Sequence, residues 1–125
     1  MTAELVTFTL DMDIHQAIKL LLQNRISGAP VVDEHDDLVG ILSKKDCLKV
    51  AFSASYHQEW GGRVSEYMSQ EVETIEADTN IIEGAERFFD SVYRRFPVMD
   101  NGRLVGQISR HDILKAIEEL WQNTS

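Results

Sequence analysis

One segment of this chain occurs twice, and that duplication constrains the fold more than any other feature. Pro30-Val31-Val32-Asp33 aligns with Pro97-Val98-Met99-Asp100. Leu38-Val39-Gly40-Ile41-Leu42-Ser43-Lys44-Lys45-Asp46-Cys47-Leu48-Lys49 aligns with Leu104-Val105-Gly106-Gln107-Ile108-Ser109-Arg110-His111-Asp112-Ile113-Leu114-Lys115. One residue is dropped between the two blocks in the second copy. Self-similarity of this kind means that one supersecondary unit is built twice.

Upstream the register holds, with Asp11 and Ile14 facing Asp78 and Ile81. Each copy opens on a short β-branched stretch, residues 6–9 and 72–75, which reads as a strand. A helix follows. Ile14, Ala17, Ile18, Leu21 and Leu22 recur at helical spacing in the first copy, as do Ile81, Ala85, Phe88, Phe89 and Val92 in the second. Asp13 and Asn80 stand where N-caps belong. Two short strands come next, at residues 29–32 and 38–42, then 96–99 and 104–108. Asn101-Gly102 is a hairpin turn in which both positions accept positive φ, while the first copy has a longer polar turn at residues 34–37. A closing helix starts after Ser43 and after Ser109, with Ile113, Leu114, Ile117, Leu120 and Trp121 on one apolar face of the second. The order is β-α-β-β-α twice, a mixed α/β (α+β) fold. The expected division is residues 1–54 for the first repeat, 55–69 for a linker and lead-in helix, and 70–125 for the second repeat. Within that linker Gly61-Gly62 is a break, residues 64–68 form a short helix, and Tyr56, His57 and Trp60 crowd together.

Composition removes several function classes. At 125 residues with 43% hydrophobic and 26% charged content, the chain can bury a core but cannot hold two large domains. A formal net charge of -9 argues against a general nucleic-acid binder, which needs a concentration of Lys and Arg. The single cysteine, Cys47, excludes an internal disulfide. No stretch reaches the roughly 18 apolar residues of a membrane span, so the expectation is a soluble, cytoplasmic protein with no nucleic-acid or membrane partner.

The paired Pro-Val-x-Asp strand and the Gly-x-x-Ser-x-x-Asp junction, seen twice at matching spacing, resemble the CBS-domain family across nearly the whole chain. In that family two such repeats pack through their sheets with pseudo-two-fold symmetry, as a pair called a Bateman module. The resemblance implies a regulatory module, not an enzyme, that binds AMP, ADP or ATP in clefts between the repeats. NAD and S-adenosylmethionine are the lesser candidates. No catalytic cofactor is implied. The motif's final acidic residue would hold the ribose hydroxyls, here Asp46 and Asp112, and its serine would lie by the phosphates, here Ser43 and Ser109. The remaining candidate ligand residues are Thr7, Ile26, Gly28, Ala29, Pro30 and Lys45 in the first copy. In the second they are Thr74, Tyr93, Arg95, Phe96, Pro97 and His111. The resemblance also implies a homodimer and an unidentified regulated protein partner.

The chemistry stands without the family. A carboxylate can accept two hydrogen bonds from a ribose diol, each worth roughly 1.5–3 kcal/mol to a charged acceptor. Ser43 and Ser109 stand at helix starts, where unpaired amides and the positive dipole end suit a phosphate. Lys44, Lys45, Arg110 and His111 in the first turns would offset its charge. The competing reading is that Ser-x-x-Asp is a capping box, which needs no ligand. The two sites are unequal: Ile26-Ser27-Gly28-Ala29 leaves room for an adenine ring beside Pro30, whereas Phe96 or Tyr93 could stack on a base or fill its place. Arg94 and Arg95 could reach phosphate or remain solvated.

Other polar residues carry less. His15, His35, His57 and His111 lack paired metal-ligand spacing. Cys47 matches Ile113 and reads as a small packing residue. Ser109, His111 and Asp112 sit too close along one helix start to form a triad. Gly84, at the place of Ala17, points to close helix packing.

Overall fold

The computed structural model describes residues 5–57, 61–91 and 95–124, which fall into two compact units. The first unit is Val6–Val72; the second runs from Glu73 onward and takes in Leu5. In the first unit the elements are β1 (Phe8–Thr9), α1 (Ile14–Gln23), β2 (Gly28–Val32), β3 (Leu38–Ser43), α2 (Lys44–His57) and α3 (Val64–Tyr67). In the second they are β4 (Ile75–Glu76), α4 (Ile81–Phe89), β5 (Arg95–Asp100), β6 (Arg103–Ser109) and α5 (Arg110–Thr124). The β-α-β-β-α order is present in each.

Local chemistry starts these elements. The Asp13 carboxylate accepts from the His15 amide at 2.7 Å and the Asn80 side-chain oxygen from the Glu83 amide at 2.9 Å, so both predicted N-caps form. At the end of α1 the Asn24 side chain donates to the Leu20 carbonyl at 2.8 Å and Arg25 turns out of the helix with φ 53°. Asn101 and Gly102, with φ of 50° and 78°, make the tight turn of the second hairpin. The first hairpin closes on Asp33, whose carboxylate accepts from the His35 and Asp37 amides at 2.8 and 3.0 Å. Those two amides hold its pKa below the usual carboxylate value, the Asp37 bond most of all.

Each unit holds one three-stranded sheet, in the orders β1-β2-β3 and β4-β5-β6. The first two strands of each run parallel and the last two antiparallel. Both hairpins slip register at the same place. Val31 pairs with Gly40 and Val32 with Leu38, and likewise Val98 pairs with Gly106 and Met99 with Leu104, which leaves Val39 and Val105 as the extra residues. The Leu-Val-Gly motif is therefore a β-bulge that bends the strand on its way to the serine.

The first core gathers Phe8, Ile14, Leu21, Val31, Leu42 and Val50. The second is smaller: Ile75, Phe88, Phe96 and Ile113, with the Phe88 and Phe96 rings 4.7 Å apart. Helix α4 packs on α5, and a Cβ on Gly84 would come within 3.0 Å of the Ile113 Cδ1, so close helix packing does account for that glycine. Cys47 packs partly buried against the first core, as a small apolar residue would.

Three expectations need correction. The opening strands are shorter or later than residues 6–9 and 72–75, because only two residues of each pair with the neighbouring strand. Leu22, Phe89, Leu114, Leu120 and Trp121 follow helical periodicity but lie outside the cores; Phe89 is 85% exposed. Periodicity finds an apolar stripe and is silent on what covers it. Tyr56 and His57 are not linker residues but continue α2, where the Phe52 and Tyr56 rings pair at 4.5 Å. Trp60, Val92, Tyr93 and Arg94 lie outside the described residues.

The short helix α3 belongs to the first unit. Its Val64 and Tyr67 join the first core, and the chain around it is tied to residues 10–14 by Ile14 N to Gly62 O, Val64 N to Met12 O and Ser65 N to Leu10 O, at 2.9–3.0 Å. The Tyr67 hydroxyl donates to the Gly61 carbonyl at 2.8 Å. Farther on, Ser69 and Ile41 of β3 exchange amide and carbonyl bonds, both 2.9 Å.

Candidate functional site

The sheet register sets several of the expected site residues of each repeat near one another. Gly28 lies opposite Ser43 and Pro30 opposite Ile41; in the second unit Arg95 lies opposite Ser109 and Pro97 opposite Gln107. Phe8 pairs with Val31 and Ile75 with Val98, so Thr7 and Thr74, one residue earlier, come up beside Pro30 and Pro97. Each pre-proline segment is thus placed next to a strand-to-helix junction. Gly28 is demanded by closeness, since a Cβ there would stand 3.1 Å from the Leu42 carbonyl oxygen.

At both junctions the capping box exists. In the first, the Ser43 amide donates to Asp46 Oδ2 at 2.9 Å and the Asp46 amide to Ser43 Oγ at 3.1 Å. In the second, the Ser109 amide donates to Asp112 Oδ2 at 2.8 Å, the Ser109 hydroxyl donates to the same oxygen at 3.0 Å, and the Asp112 amide donates to Ser109 Oγ at 3.2 Å. Burial alone would raise the Asp112 pKa, but the Ser109 amide and hydroxyl outweigh it and hold the carboxyl below its usual value. Asp46 differs, with Oδ1 turned to Lys49 Nζ at 3.3 Å.

These bonds correct one expectation. The helix starts do not present a full set of unpaired amides: Ser43 and Asp46 use theirs within the box, and the Lys44 amide donates to the Ser27 carbonyl at 2.8 Å. What α2 presents at its start is the dipole and the exposed Lys44 and Lys45 side chains more than a row of free N–H groups. A carboxylate has about four lone-pair sites, so capping one amide does not exhaust Asp46 as an acceptor for hydroxyls.

The asymmetry between the copies also takes definite form. Ala29 and Pro30 are buried, with Ile26 and Gly28 half-buried. In the second unit Phe96 is 0% exposed, its ring tilted against that of Phe88, with the Arg87 guanidinium 5.1 Å from its ring centroid. Its ring lies in the second core and presents no exposed face. Arg95 is half-buried and His111 exposed. Burial, with the charge of neighbouring Asp46 adding to it, pushes the Cys47 thiol up to about 11. A separate groove of about 450 Å³ in the second unit is lined by Glu73, Thr79, Glu83, Glu86, Arg87, Asp90 and Ser91. Its four carboxylates repel phosphate, and no residue of the expected site lines it.

A family model described as CBS domain matches residues 1–53 and again 64–119. The chain belongs to the CBS-domain family. Solved structures agree on the fold. CBSX2 of Arabidopsis thaliana, solved in complex with AMP, is 25% identical with a TM-score of 0.81, covering 94% of this chain and 90% of that one. The CBS domain pair of protein MJ0100, solved with 5′-methylthioadenosine and S-adenosyl-L-methionine, is 26% identical with a TM-score of 0.76, covering 95% and 92%. The cytosolic domain of the Mg²⁺ channel MgtE in complex with ATP is 30% identical with a TM-score of 0.77; the match covers 93% of this chain and 46% of that one. Against the first curated relatives that match, the chain spans only 42%, 55% and 21% of their lengths. Among the described residues no helix is long and apolar enough to cross a membrane.

Proposed function

We propose that this CBS pair is a regulatory module that binds an adenosine-containing ligand, with Asp46 and Asp112 receiving the ribose hydroxyls and Ser43 and Ser109 lying by the phosphates. The observation that carries the reading is the placement of each Ser-x-x-Asp junction directly across the strand pair from the pre-proline segment, in both repeats. The AMP, ATP and S-adenosylmethionine complexes of related CBS pairs support the ligand class. The first junction is the better site. Its flanking segment is small, and Lys44 and Lys45 supply positive charge on a chain of net charge -9. The second has Phe96 locked in its core and leans on Arg95 and His111. Binding alters packing, and the signal passes to a protein partner; neither step is catalytic.

Thermal unfolding with AMP, ADP, ATP and S-adenosylmethionine tests this. Ligand at about 100 times its dissociation constant adds roughly 2.7 kcal/mol to stability. A melting point indifferent to all four refutes the reading.

A second reading, a self-associating module with empty sites, draws on exposed apolar helix faces: Leu48 and Phe52 on α2, at 71% and 59% exposure, and Leu114 and Trp121 on α5, at 66% and 71%. Such side chains favour a covering partner, and a second copy is the simplest one. Light scattering separates the cases: a dimer whose stability ignores every nucleotide supports the second reading, and a dimer that still responds to nucleotide supports the first.

A further inference from the structure

The edge of β3 carries both the first junction and the segment that closes the first unit. Because β3 is the outer strand of its sheet, alternate backbone groups point away from β2. Two successive outward residues are Ile41 and Ser43. Ile41 exchanges both its bonds with Ser69 at 2.9 Å, and the Ser43 amide goes to Asp46 Oδ2, also at 2.9 Å. Across the sheet from Ile41 stands Pro30, in a pair that exchanges no backbone bonds because those of Ile41 go outward to Ser69. The contact with Ser69 is tight. A Cβ on Gly40 would fall 2.8 Å from the Met68 sulfur and 2.8 Å from the Ser69 carbonyl oxygen.

We propose that Gly40 and Ser69 are positioning residues for the first-unit site. Residues 61–69 form a strap that is pinned at one end to residues 10–14 and at the other to Ile41. Its seating holds the β3 edge in line, and with it the Ser43 amide that orients the Asp46 carboxylate. The proposal rests on the reading that Asp46 receives the ribose. Coupling of this kind is reciprocal, so a ligand that favours the ordered junction favours the seated strap by the same factor. The strap runs on through residues 70–72 into β4, which gives occupancy of the first site a covalent route to the start of the second unit.

The test is a calorimetric titration of AMP and of ATP into the full chain carrying Asp112→Ala, so that only the first-unit site is read. Ser69→Pro deletes the amide that donates to Ile41, and Met68, at φ -66° and ψ 157°, already has the extended backbone a following proline requires. Ser69→Ala keeps both backbone bonds and is the control. The expected result is affinity at least about fivefold weaker in Ser69→Pro and in Gly40→Ala, with Ser69→Ala equal to the parent. In the parent, nucleotide slows hydrogen exchange at the Ser69 amide. The proposal is overturned if folded Ser69→Pro binds within about twofold of Ser69→Ala, or if nucleotide leaves Ser69 exchange unchanged. Should Ser69→Pro not fold, the exchange result in the parent decides. If the parent binds neither nucleotide, the ligand reading and the strap fall together; if it binds and only the strap measurements are silent, the strap alone falls.

Discussion

Replacing Asp112 with alanine in the absence of any ligand tests how much of the repeated junction is architecture. The carboxylate accepts from the Ser109 amide at 2.8 Å and the Ser109 hydroxyl at 3.0 Å, and both bonds vanish in the variant. The bond from the Asp112 amide to Ser109 Oγ survives, so half of the reciprocal cap remains. Bonds to a charged acceptor are worth about 1.5–3 kcal/mol when dry, but the junction is only part-buried and solvent screens it. Cap deletions measure about 0.5–2 kcal/mol, and a loss of about 1–2 kcal/mol follows. In urea, with a slope of about 2 kcal/mol/M, the midpoint falls by about 0.5–1 M. The pH dependence has a definite sign. The folded carboxyl titrates below its unfolded value of about 3.9. Its contribution is complete above that value and is lost as pH falls through the lower folded one. The gap between wild type and Asp112→Ala is therefore full at pH 7 and closes in acid, on the low side of about pH 4. Equal urea midpoints at pH 7, or a gap that widens in acid, would refute the cap.

Phe96→Ala removes a ring with no exposed surface from the second core and costs about 3–5 kcal/mol in urea unfolding; a loss under about 1 kcal/mol contradicts its placement. Gly102→Ala, at φ 78°, destabilises the second hairpin by about 1 kcal/mol, seen as a lower melting point, whereas an unchanged one denies the tight turn. Cys47, with its thiol pushed up to about 11, reacts slowly with iodoacetamide. Only about one thiol in a thousand is ionised at pH 8, so fast labelling of folded protein by mass spectrometry counts against its burial.

The repeat was legible as self-similarity along the chain, and the two N-caps at Asp13 and Asn80, the Asn101-Gly102 turn and the pairing of Ser with Asp were legible because each is set by residues within a few positions of one another. The bulges at Val39 and Val105 were not, since a strand pattern does not show which residue its partner skips. Nor could the sequence show that the Lys44 amide is taken by Ser27, or that Ser69 returns to Ile41; both bonds join segments whose meeting depends on the finished sheet. Phe96 left two possibilities, base platform or filler of the base's place, and its burial against Phe88 is set by packing that the sequence does not show. Leu114 and Trp121 follow the helical stripe yet are 66% and 71% exposed, which periodicity alone cannot reveal.

That a cap and a ribose acceptor share one carboxylate is the centre of the account. It is tested most directly by titrating AMP and ATP into wild type and into the Asp46→Ala/Asp112→Ala pair, at a temperature where circular dichroism shows both folded. The account predicts saturable binding by wild type with at least one nucleotide and none by the double variant. Equal binding by both proteins, or by neither, contradicts it.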